Sequence, residues 1–66
     1  MYFLKTKGTQ QIPDFIQVRD NEMALIAHFK VERLKENIHN FKIETNAEIV
    51  LEMIEKLEYG TLLEIK

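Results

Sequence analysis

The chain has 66 residues, no cysteine, no serine, and nine Lys or Arg against eleven Asp or Glu for a net charge of −2. These exclude disulfides, thiolate metal sites, and serine or cysteine nucleophiles, and they argue against nucleic acid or an anionic membrane as the main partner. With 45% of residues hydrophobic there is ample material for one core, so residues 1–66 are expected to form a single small domain. A domain of this size buries only about 60% of the surface of its unfolded chain, and self-association is a common remedy.

Met1–Thr6 is short, aromatic and partly alternating, as a strand is. Lys7–Pro13 carries a Gly and the only Pro and reads as a loop. Asp14–Arg19 and Glu22–Phe29 are strand-like runs on either side of Asp20-Asn21, residue types that tolerate the positive φ of a tight turn. A turn there sets Arg19 opposite Glu22 as an ion pair, Val18 opposite Met23 and Ile16 opposite Leu25. The second of these strands is apolar on both faces, with Met23, Leu25 and Ala27 on one and Ala24, Ile26 and His28 on the other. That pattern points to a central strand or to one covered on both sides.

Lys30–Asn40 carries Val31, Leu34 and Ile38 at helical spacing, with no evident start signal. Thr45–Gly60 has a complete helical signature. Thr45 and Glu48 fit a capping box, and Ala47, Val50, Met53, Ile54 and Leu57 make one apolar face. Glu52 precedes Lys56 by four residues, and Gly60 suits a left-handed stop. Thr61–Ile65 resumes as a strand. The order strand, strand, strand, helix, helix, strand predicts an α+β domain, with two helices packed on one face of a mostly antiparallel sheet.

Chemistry-bearing residues are sparse. His28 and His39 lack metal-ligand spacing, and Glu48, Glu52 and Glu55 lie in a row on an outer helix face rather than converging across a cleft. No cofactor, metal site or catalytic group is expected, and the protein reads as a non-enzyme. Lys5, Lys7 and Gly8 form a basic, Gly-containing loop after a strand, a candidate anion contact. It lacks the second Gly and the following helix of a phosphate loop.

Charge is uneven: residues 1–42 hold seven Lys/Arg and five Asp/Glu, residues 43–66 two Lys and six Glu. No basic stretch followed by an apolar core opens the chain and no run reaches membrane-spanning length, so a cytoplasmic protein without a membrane partner is expected. If the helices take the Ile16/Val18 face, Phe15, Ala24 and Ile26 are left on the opposite one. These three are the candidate interface, with a second copy of the chain the natural occupant. The function expected is that of a small interaction or structural module that self-associates. The alternative is a nucleic-acid-binding accessory protein using the basic N-terminal half.

Overall fold

A computed structural model describes residues 1–65. It is the α+β arrangement that the element order predicts: four antiparallel strands with the helices on one side. The strands are β1 (Tyr2–Thr6), β2 (Phe15–Arg19), β3 (Leu25–Lys30) and β4 (Leu62–Glu64), in the spatial order β3-β2-β1-β4. Two helices intervene before β4. The first, α1 (Leu34–Asn37), is a single α-turn between 3₁₀ segments at Val31–Arg33 and Ile38–Asn40; the second, α2, is Ala47–Lys56. The weak start predicted for Lys30–Asn40 appears as this broken geometry, and no side chain caps any of its three pieces.

Alternation along the strands decides which face is covered. Phe3 and Lys5 of β1 and Ile16 and Val18 of β2 are buried, while their neighbours Tyr2, Leu4, Phe15 and Gln17 point to the other, half-exposed face. Leu34, Ile38, Val50 and Ile54 close the core from above, and Ile65 from beyond β4. Phe41 meets Phe3 edge-on with ring centroids 6.2 Å apart and stacks near Phe29 at 6.4 Å. The core is therefore one layer between the helices and one sheet face.

The β2–β3 hairpin differs from the expected one. Val18 lies opposite Ala27 and Ile16 opposite Phe29, a slip of four residues that keeps Ile16 and Val18 on the core face. The turn is longer because Asp20 organises it: its Oδ1 accepts from the backbone N–H groups of Glu22 and Ala24. The left-handed residue is Met23, at φ 67°, and not Asn21. Register then shifts between Val18 and Arg19, so that Arg19 lies opposite Leu25 and Ile26 is the extra residue. Met23 and Leu25 leave the core, and the Arg19–Glu22 ion pair does not form. Arg19 donates instead to the Met23 carbonyl and to Gln17 Oε1, both at 2.9 Å. β3 is an edge strand, not the central strand its double-sided apolar pattern suggested, because half of that pattern lies in the turn and the bulge.

The cap of α2 also moves by one residue. Asn46 is the N-cap, its Oδ1 accepting from Glu48 N at 2.8 Å. Gly60 has the left-handed backbone expected of it, φ 81°, but in a turn closed by Thr61 N to Glu58 O, after the helix has ended at Lys56. The Lys56–Glu52 pair forms at 3.4 Å on an exposed surface.

Candidate functional site

Two places in the fold hold groups that could meet another molecule. The first is where the end of β1, the following loop and the end of α2 converge. Lys5 points inward by the alternation of β1 and is 7% exposed. Its ammonium donates to the Ile54 carbonyl at 3.0 Å and the Glu55 carbonyl at 3.2 Å. These belong to the last turn of α2, where the carbonyls carry the negative end of the helix dipole, and the Ile54 carbonyl also accepts from the Leu57 N–H at 3.1 Å. Lys5 is thus a cap delivered from a strand about 50 residues away, and its charge also lies 4.9 Å from the centre of the Tyr59 ring.

Beside it the loop closes on Asp14. The Gly8 amide donates to Asp14 Oδ1 and the Tyr59 hydroxyl to Asp14 Oδ2, each at 2.6 Å. The Tyr59 bond first, then that from Gly8, hold the Asp14 carboxyl below its usual range, and the same carboxylate raises the Tyr59 phenol. A side chain at Gly8 would run into the Ile12 carbonyl oxygen and the Pro13 carbonyl, so only glycine fits this tight loop. Lys7 is exposed, its ammonium 6.0 Å from the Tyr59 ring. The structure therefore places Lys5 under the helix, Lys7 at the surface, and the Gly8 amide on a carboxylate of the chain itself. A groove of about 530 Å³ opens beside Lys5 between α1 and α2, with Leu34, Leu51 and Ile54 among its walls and Glu32, Lys35 and Glu55 at its charged positions. Its charges are of both signs, and Asp14 already supplies an anion to the Gly8 loop.

The second place is the sheet. Helices cover the Phe3/Ile16/Val18 face; Tyr2, Leu4, Phe15, Gln17, Arg19 and His28 form the other. Phe15 lies here, stacked on His28 across the strands with centroids 4.5 Å apart, and opposite Lys30. Ala24 and Ile26 are exposed at the other end of β3. That separates Phe15 from Ile26 by four residues of strand, roughly 13 Å. What the structure does bring together with Ala24 and Ile26 is Met23 and Leu25, giving four consecutive exposed apolar residues, with Leu25 at 51% and Ile26 at 47%. They border the free side of β3, since among the described residues β2 is its only neighbour in the sheet. Met23 and Leu25 were missed as surface residues because a regular hairpin points them inward. The uninterrupted apolar run MALI was the one signal available.

Among the described residues no three His, Asp or Glu side chains are grouped to hold a metal ion, and no helix is long and apolar enough to cross a membrane. Compared with known protein families, curated proteins and solved structures, the chain has no significant match.

Proposed function

We propose that this protein is a non-enzymatic interaction module whose first partner is a second copy of itself. The observation that carries the reading is the exposed run Met23–Ala24–Leu25–Ile26 beside the unpaired side of β3. An exposed apolar patch on an open strand edge favours association, and Met23–Ile26 carries neither the charge nor the proline that would blunt it. Met23 adds weight. A non-glycine residue at φ 67° costs about 1 kcal/mol, which glycine or asparagine would reduce, yet a large apolar side chain stands there and is 40% exposed. A side chain held at some cost in an exposed position is suited to contact rather than to packing.

The test is the mass in solution by light scattering over a dilution series from about 100 µM down to about 1 µM, the range in which a micromolar dimer dissociates. The wild type is expected to shift from dimer to monomer mass, and Ile26→Lys to remain folded and monomeric throughout. Equal masses for the two proteins at every concentration would overturn the reading.

One observation favours the nucleic-acid alternative. The Phe15–His28 stack sits beside Lys30 on the open sheet face, the kind of aromatic and basic platform on which unpaired bases stack. Titration with a generic single-stranded oligonucleotide at low salt distinguishes the two. Micromolar, salt-sensitive binding that Phe15→Ala abolishes supports the alternative, and its absence removes it.

A further inference from the structure

The same surface specifies how two copies would meet, an inference that rests on self-association being the correct reading. We propose that the copies join edge to edge, β3 against β3 in antiparallel orientation about a two-fold axis beside His28, so that the two four-stranded sheets become one of eight strands.

The argument starts from the backbone. Val31 N donates to Asp14 O, which makes Asp14 and Val31 a hydrogen-bonded antiparallel pair. Such pairs alternate along a ladder, so Ile16/Phe29 and Val18/Ala27 are hydrogen-bonded pairs, and Gln17/His28 and Phe15/Lys30 are not. The N–H and C=O of His28 and the N–H of Lys30 consequently point away from β2, toward the free side. A two-fold axis at His28 lets the two His28 backbones exchange both bonds, and Ala27 and Phe29 flank the axis in regular register. The bulge residue Ile26 lies two positions from it.

Side chains agree with this register. Ala27 comes opposite Phe29 of the second copy on the core face, so the apolar layer runs unbroken across the seam. Ile26 comes opposite Lys30 of the second copy, whose aliphatic stem can cover it. The two-fold axis makes the strands antiparallel, which also spares the seam the Lys30–Lys30 contact that an in-register parallel pair would make.

The two other ways of joining are less suited. Face-to-face stacking of the uncovered sheet faces would bury the Arg19 guanidinium, which bonds only to neutral oxygens and has no carboxylate within ion-pair distance among the described residues. The opposite edge, β4, is three residues long.

Because the chain has no cysteine, one introduced cysteine reports one position. In the proposed dimer the two His28 Cα atoms lie about 5.5 Å apart, within disulfide reach, while Phe15 is a strand further in on each side and out of reach. Under mild oxidation at about 100 µM, His28→Cys is expected to form crosslinked dimer at least tenfold faster than Phe15→Cys. In the wild type, amide exchange at His28 and Lys30 is expected to slow at least tenfold between dilute and concentrated samples. Exchange that ignores concentration in a protein of dimer mass overturns the edge arrangement and leaves self-association standing; so does Phe15→Cys crosslinking as fast as His28→Cys. A monomer mass at every concentration overturns both.

Discussion

Asp14 shows how much of the local structure depends on single polar groups. Its carboxylate takes hydrogen bonds from the Gly8 amide and the Tyr59 hydroxyl, tying the loop after β1 to the turn before β4. The carboxyl titrates below its unfolded value, so its contribution is full above that value and is lost as pH falls through the lower folded one. The Tyr59 phenol titrates above its unfolded value, so its contribution is full below that value and is lost as pH rises through the higher folded one. Tyr59→Phe is expected to lower stability near neutral pH and to flatten both limbs of the stability profile, measured as urea midpoints between pH 3 and pH 11, about the window these two groups set. Unchanged limbs would show that the bond does not persist in solution. None of this was legible in the sequence, because Asp14 and Tyr59 stand 45 positions apart with no motif linking them.

Asn46 is a residue-scale correction of the opposite kind. The sequence contained the correct signal, a capping residue before an apolar face, but its three-residue spacing to Glu48 pointed to Thr45, one position too early. Asn46 accepts from Glu48 N, two residues on, and so stands at the helix start. Asn46→Ala should cost about 0.5–2 kcal/mol in urea unfolding. A loss below that range would mean that another group caps α2.

Among the elements, α2 and the β2–β3 hairpin show where pattern reading succeeds and where it stops. The body of α2 was legible because Val50 and Ile54 repeat at helical spacing and are both buried. Its end was not. Lys5 caps it from β1, a contact that only the tertiary fold creates. Lys5→Met keeps most of the packing volume but leaves the Ile54 and Glu55 carbonyls without this donor, at a cost of about 1–3 kcal/mol. Faster amide exchange in the last turn of α2 is the expected signature, and unchanged exchange there would contradict the cap.

The hairpin was legible in its existence and in the facing of Ile16 and Val18, but not in its register. Asp20 and Asn21 suggested a two-residue turn; Asp20 instead bonds two amides further on and draws Glu22, Met23 and Ala24 into the loop. Met23→Gly should therefore be neutral or stabilising by up to about 1 kcal/mol, since glycine adopts positive φ freely. Met23→Val should destabilise, because a β-branched residue is a poor fit there. If Val is tolerated as well as Gly in urea melts, Met23 is not held left-handed.

At the scale of the whole molecule, the class and element order were legible because each strand and helix carries its own period. Strand order was not, since nothing local told β3 that it would stand at an edge. That placement turns an apolar run that would suit a central strand into an exposed one, and it is the reason for proposing a second copy as partner. Sedimentation equilibrium of the wild-type protein at about 100 µM measures this most directly, at a concentration where a micromolar affinity populates the dimer. The account predicts a mass near twice 7.9 kDa, falling toward the single-chain value on dilution. A single-chain mass that does not change with concentration would contradict it.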